Sequence, residues 1–330
     1  MIFFNTLILG TLISISSYSW MSMWMGLEIN LLSMIPLMYY SNNMFSSEST
    51  MKYFITQTLA SLVILFSIIY MLMITEFITP WMNSSMLLIM NSALLTKLGA
   101  APFHFWLPEV MEGMNWFNCL IMLTWQKIAP MILLMNFNFN LKFIIIIITL
   151  SLLISSILNL NQTSLRKILT YSSINHIGWM LSSMLISYSI WLIYLMIYIF
   201  INLNITIMFY YMNCFYMNQI FNFLNHNKLT KMMFLLNFLS LSGLPPTIGF
   251  FSKWLVINWL ILNNHIMLTL IMILMTLIMI FTYIRIFMSS IILNFNESKL
   301  IFKKWNNKFL ILTNSFTMLN LISLTLLFNF

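Results

Sequence analysis

An all-α polytopic membrane protein is the fold class the sequence predicts, and three observations carry that prediction. Only 6% of the 330 residues are Asp, Glu, Lys or Arg, against roughly 25% in a soluble domain. Hydrophobic residues make up 61% and the mean hydropathy is +0.95. The apolar residues fall in runs close to the roughly 20 residues a helix needs to cross a bilayer. The net charge of +8 comes from 14 cations against 6 anions. Such an apolar chain has no surface polar enough for a phosphate-tracking groove, so no nucleic-acid partner is expected.

Polar punctuation divides the chain into eleven expected spans. Residues 3–20 come first. Met1 runs into Ile2-Phe3-Phe4 with no basic stretch and no small-residue cleavage site, so this segment is expected to stay as a span. Residues 25–40 follow, nearly fused to the first through Trp20 and Trp24, and end at the loop Ser41-Asn42-Asn43. The third span, 53–74, begins after Lys52, and the fourth, 84–101, carries Lys97. Spans 116–136, 143–160, 168–187 and 191–212 come next. The ninth, 232–260, follows Asn225-His226-Asn227 and is long and interrupted. Spans 267–290 and 309–328 complete the series. Cys119 and Cys214 sit in apolar stretches without a second ligand at metal spacing and read as small core residues, so no metal site is expected.

Loop cations test the span count. With eleven spans, the N-terminal side carries Lys52, Arg166, Lys167, Lys228, Lys231, Lys299, Lys303, Lys304 and Lys308, and the opposite side only Lys142. The positive-inside rule makes the first side the cytoplasm-like one, which in an organelle is the matrix. Arg285 lies near the inner end of span ten and can snorkel. Glu48, Glu76, Glu112 and Glu297 read as solvated loop charges, and His226 and His265 as loop residues.

Lys97, Lys127, Lys253 and Glu28 are left inside spans. A charge at the bilayer centre costs at least about 2.5–3.5 kcal/mol on insertion scales, so four of them call for a function. Two spans are also interrupted. Span four contains Lys97-Leu98-Gly99-Ala100-Ala101-Pro102, and span nine contains Ser242-Gly243-Leu244-Pro245-Pro246. Gly and Pro withdraw helix support, and freed backbone at membrane depth is tolerated only inside protein or beside water. The breaks fall five spans apart. Two five-helix units, 1–137 and 138–292, place each break in the fourth helix of its unit, and an odd number of spans inverts the second unit. That is the pattern of an inverted-repeat transporter. Glu28 in span two and His176 in span seven occupy matching positions, whereas Lys127 in span five has no counterpart in span ten. Residues 293–330 supply a loop and a C-terminal helix, and the whole of 1–330 forms one membrane domain.

Gly26-Leu27-Glu28-Ile29-Asn30, the run from Leu95 through Pro102-Phe103-His104-Phe105-Trp106 to Glu109, Trp125-Gln126-Lys127-Ile128-Ala129-Pro130, and Gly243 through Lys253-Trp254 resemble the antiporter-like membrane subunits of mitochondrial NADH–ubiquinone oxidoreductase, respiratory complex I. These subunits are related to cation/proton antiporters. The motifs keep their order from about residue 26 to 254, and the length resembles the short animal-type form. Thr247 and Asn175 depart from the family pattern without touching a titrating group.

The resemblance implies proton translocation across the mitochondrial inner membrane, driven by ubiquinone reduction elsewhere in the complex. It implies that FMN, iron–sulfur clusters and ubiquinone belong to the complex, and none to this chain. The seven glycines form no nucleotide cradle. Glu28 is expected to pair with Lys97, and loss of the pairing to release a proton from Lys97. Lys127 would relay next and Lys253 last before exit. His176 is a further relay candidate, because histidine is the residue type whose ordinary pKa lies nearest neutrality. His104 and Glu109 suit either a structural loop or proton uptake. The resemblance also implies chain 4 and the lateral helix of chain 5 of the complex as neighbours, cardiolipin-type lipid contacts, a matrix N-terminus and an intermembrane-space C-terminus. A free-standing cation/proton antiporter and a purely structural membrane subunit are the alternatives.

Overall fold

The computed structural model describes residues 1–40, 43–74, 84–136, 140–219, 228–245 and 247–292. The expected eleventh span, Pro246, Glu76, Glu297, His226 and the lysines at 299, 303, 304 and 308 lie outside the described residues. The described chain is helical apart from one isolated antiparallel bridge, Ser164 to Tyr216. It divides into two compact units, Met1–Ser151 and Leu152–Phe330. Among the described residues six helical segments are long and apolar enough to cross a membrane, including Met44–Met73, Leu141–Asn159 and Tyr188–Met212.

The first unit opens with α1 (Ile2–Ser16) and α2 (Trp20–Met38). Small residues let these two helices touch: a Cβ built on Gly26 would lie 2.6 Å from the Ser14 nitrogen, and one on Gly10 would lie 2.8 Å from the Asn30 nitrogen. Without a hydrophobic drive inside lipid, such close backbone contact is what holds helices together. Next comes α3 (Met44–Ile74), 31 residues long and so about 46 Å. It begins nine residues before the expected span, because Glu48 and Lys52 are helical and ion-paired four residues apart. Glu48 is therefore an exposed helix charge rather than a loop charge, and α3 outruns the roughly 30 Å hydrocarbon core.

Span four is broken as expected. The helix α4 (Ser84–Leu98) ends at Gly99, and α5 (Trp106–Gly113), which carries Glu112, resumes after a turn containing a cis Ala101–Pro102 bond. Span five holds a break that was not expected: α6 (Trp116–Leu123) and α7 (Trp125–Asn136) meet at Thr124. Pro130 lies inside α7, and a proline removes one hydrogen bond and crowds the preceding turn. Here α4 packs on α3 and α7, α5 packs on α3, and α1 reaches α7.

The division between units falls within α8 (Leu141–Asn159). In the second unit the core helix is α9 (Leu165–Met184), with 18 of its 20 residues buried. Those residues include Ser172, Ser173, Asn175 and His176, so the unit has a polar centre where a lipid-facing helix would have none. Around it lie α10 (Tyr188–Met212), α12 (Ile248–Leu262) and α13 (Ile266–Ile292), while α11 (Lys228–Ser242) packs on α10, α12 and α13. Span nine is thus the two helices α11 and α12. They cross so closely that a Cβ on Gly249 would overlap the Ser240 carbonyl oxygen. At the end of α8, Asn159 Nδ2 donates to Thr282 Oγ1 of α13 at 3.1 Å.

Candidate functional site: buried lysines at two helix breaks

Both breaks are built the same way. At the end of α4 the Gly99 N–H donates to Thr96 O and the Ala100 N–H to Leu95 O, each at 3.1 Å. At the end of α11 the Gly243 N–H donates to Ser240 O at 3.2 Å and the Leu244 N–H to Leu239 O at 3.3 Å. These paired bonds define Schellman caps, which need a left-handed residue. Gly99 has φ +74° and Gly243 φ +76°.

Lys97 occupies the last turn of α4 and is 8% exposed. It lines a cavity with about 340 Å³ of empty space including its mouth, together with Asn30, Tyr53, Gln57, Trp106 and Gln126. Gln126 Nε2 donates to Asn30 Oδ1 at 2.8 Å, tying α7 to α2 across the cavity wall. The Trp106 indole N–H donates to Thr96 O at 3.0 Å and so folds α5 back on α4. Most of that space is the open mouth, and the enclosed part has room for about one water.

Glu28 lies within electrostatic reach of Lys97 and Tyr53. Among the described residues, however, no Glu28–Lys97 ion pair closes, and Glu28 Oε1 is buried without a hydrogen bond. The helix explains this difference from the expected contact pair. Leu27, Asn30 and Leu31 face the cavity, at the i, i+3, i+4 spacing of one helix face, and Glu28 points about 100° away from them. Lys127, 3% exposed, is likewise off the cavity wall, which its neighbours Gln126 and Pro130 form.

His104 is 1% exposed and Phe105 is mostly exposed, with their rings 4.4 Å apart. His104 Nδ1 makes no hydrogen bond. Glu109 is at the surface, where Lys52 Nζ lies 2.9 Å from it and 2.7 Å from Glu48. The structure thus joins Glu109 to α3 and leaves His104 in the interior.

In the second unit Lys253 comes from α12 and is 9% exposed. Its Nζ donates to Ser242 O, the last carbonyl of α11, at 2.7 Å. It also lies 5.7 Å from the centre of the Trp179 ring of α9. A Cβ on Gly243 would lie 2.9 Å from Lys253 Cδ, so a side chain there would push the flexible end of the lysine aside, while the left-handed φ is what calls for glycine. His176 Nδ1 lies 2.8 Å from the Tyr194 hydroxyl. Asn30, Gln57, Gln126 and Tyr194 were not singled out by sequence. The available signal was that a polar group on a buried helix face must find a partner.

Two Gly-capped helix breaks, each with a buried ammonium at a half-helix C-terminus, define a membrane protein of the ion-translocating, broken-helix class. The comparisons with known proteins agree. The family model for NADH:quinone oxidoreductase/Mrp antiporter, TM, matches residues 17–280. The chain is 45% identical over 331 residues to NADH-ubiquinone oxidoreductase chain 2 of Anopheles gambiae, covering 100% of this chain and 93% of that one. It is 49% identical over 332 residues to the chain 2 of Aedes aegypti, covering 99% and 97%. The fold matches a chain of respiratory complex I from Thermus thermophilus, solved with bound aureothin, at TM-score 0.84 and 20% identity, over 95% of this chain and 75% of that chain. The chain belongs to the NADH–ubiquinone oxidoreductase chain 2 family.

Proposed function

We propose that this chain moves protons through a relay of Glu28, Lys97, Lys127, His176 and Lys253. The chain is a proton-translocating subunit of the membrane arm of respiratory complex I, and other subunits of that complex are its partners. Its place is the mitochondrial inner membrane, with the N-terminus on the matrix side. Eleven spans form two inverted five-helix repeats, 1–137 and 138–292, followed by 293–330. Chain 4 and the lateral helix of chain 5 are its neighbours, cardiolipin-type lipids fill the contacts, and FMN, iron–sulfur clusters and ubiquinone work elsewhere in the complex.

The observation that carries the relay is the pair of buried ammoniums at half-helix ends, one of them in a polar cavity. Lysine suits the task because its ammonium is a compact charge on a flexible stem with three donors. The negative end of a half-helix supports it while protonated. Glu28 acts on Lys97 from a distance rather than by contact, so a change in that carboxylate alters Lys97 without breaking a bond. Lys127, adjacent in the chain to the cavity wall, is the next group. Lys253 holds the proton before release, and His176 serves the second unit. Glu109 at the surface collects protons, and His104 lies inward of it.

The test is Lys97→Met in the assembled complex. Protons moved per NADH should fall, or turnover should slow on the order of tenfold if pumping and electron transfer are obligatorily coupled. Normal stoichiometry and turnover would leave the chain a structural subunit. Co-migration of the native chain with a large NADH-oxidising assembly separates this reading from a free-standing antiporter.

A further inference from the structure

Within the second unit α9 and α10 lie side by side and press a buried histidine against a buried tyrosine. His176 is 7% exposed and Tyr194 1%. Beyond the 2.8 Å contact between Nδ1 and the Tyr194 hydroxyl, the Tyr198 ring lies 5.0 Å from the imidazole centre. Residues 194 and 198 are four apart and so share one face of α10. The hydroxyl of Tyr198 is engaged elsewhere, with Ser173 and Asn202. A buried phenol needs a hydrogen-bond partner, and the imidazole is the one Tyr194 has taken.

We infer that Tyr194 is a positioning residue for proton transfer through His176. This rests on the relay reading of His176. A phenol both donates and accepts, whereas a neutral imidazole donates at one nitrogen and accepts at the other. In both charge states Nδ1–H donates to the Tyr194 oxygen, which keeps proton exchange at Nε2. The neutral ring takes the relay proton at Nε2 from the preceding protonated group of the relay, which is left one proton poorer, and later passes it from Nε2 to the following group. Nδ1 and the Tyr194 hydroxyl keep their own protons throughout. One contact thereby serves both charge states without moving the ring.

The experiment measures proton translocation per assembled complex for Tyr194→Phe, His176→Gln and the double variant, with Tyr198→Phe as the control of equal size on the same face. Tyr194→Phe should lower translocation on the order of fivefold, as expected for loss of one buried hydrogen bond. The double variant should be no worse than His176→Gln alone, because a residue acting only through another adds nothing once that other is gone. Tyr198→Phe should stay near wild type. If Tyr194→Phe reduces assembly, Tyr194→Gln keeps a hydrogen-bonding terminus and should restore translocation per complex; failure to restore it overturns the inference. Wild-type translocation in Tyr194→Phe beside a defective His176→Gln overturns the positioning role and leaves the relay standing. Additive losses in the double variant also overturn it, by making Tyr194 a packing residue. Wild-type behaviour of both single variants removes His176 from the relay, and the inference with it.

Discussion

The two units end their broken helices with the same backbone and staff them with different lysines. Each break is a Schellman cap on a left-handed glycine, with φ +74° at Gly99 and +76° at Gly243. In the first unit the lysine precedes the break and its side chain faces a polar cavity. In the second it follows the break and reaches back over 11 residues to the last carbonyl of α11. Among the described residues the second unit has no Asp or Glu, whereas Glu28, Glu48, Glu109 and Glu112 all belong to the first. The lesson is that the helix end is the common device, since either route sets a cation at a negative half-helix terminus. What differs is the partner: space for water in one unit, a protein carbonyl and an indole face in the other. A water-facing ammonium can exchange its proton readily, and a protein-bonded one is held.

The glycines test that contrast most severely. Alanine at either position must adopt a left-handed conformation, which costs about 1–2 kcal/mol. At Gly99 the added methyl would meet Leu107 and Trp106 at 3.4 Å, close to ordinary contact. At Gly243 it would meet Lys253 Cδ at 2.9 Å and Nζ at 3.0 Å, displacing the ammonium from Ser242. Gly243→Ala should therefore lower proton translocation per assembled complex several-fold more than Gly99→Ala. Equal losses would mean that the two lysines are held alike.

A smaller effect separates the lysines by stability. Lys253→Met removes the ammonium from the Ser242 carbonyl and leaves a buried acceptor short of that bond, a penalty of about 1–3 kcal/mol. Lys97→Met exchanges a cavity-facing ammonium for a thioether, and water can cover what is exposed. In thermal dissociation of the complex, Lys253→Met should lower the midpoint more than Lys97→Met. The reverse order would show that Lys97, not Lys253, is the structurally bonded group.

Fold class, both expected breaks and the buried lysines were legible because each has a local cause. Charge inside an apolar run is conspicuous, and Gly with Pro announces lost helix support. Three features were not legible, for physical reasons. The start of α3 was missed because hydropathy stops at Lys52, while an i, i+4 Glu48–Lys52 pair continues the helix. The break at Thr124 was missed because its one local sign, Pro130, is six residues downstream and is tolerated within many helices. The Glu28–Lys97 contact was expected from charge alone, but only the rotation of α2 about its axis decides which residues face the cavity. That rotation follows from Gly10, Ser14 and Gly26 locking α1 against α2, a tertiary fact that no single segment contains.

The smallest expected effect comes from the surface acids that only the first unit carries. Lys52 is shared between Glu48 and Glu109, and all three side chains are well exposed, at 40%, 61% and 57%. Exposed ion pairs hold helices together weakly and are screened by salt. Glu109→Gln leaves Lys52 with Glu48, its neighbour one helical turn away, so the contact between α3 and α5 should survive. Glu48 and Glu112 also remain as carboxylates beside the lost one. Proton translocation should fall by no more than about twofold, with a larger deficit at low ionic strength, where surface charge acts over longer range. A tenfold loss, insensitive to salt, would instead make Glu109 an obligatory proton carrier rather than one member of a collecting group. The first unit would then depend on one surface carboxylate as strictly as the second depends on the carbonyl of Ser242.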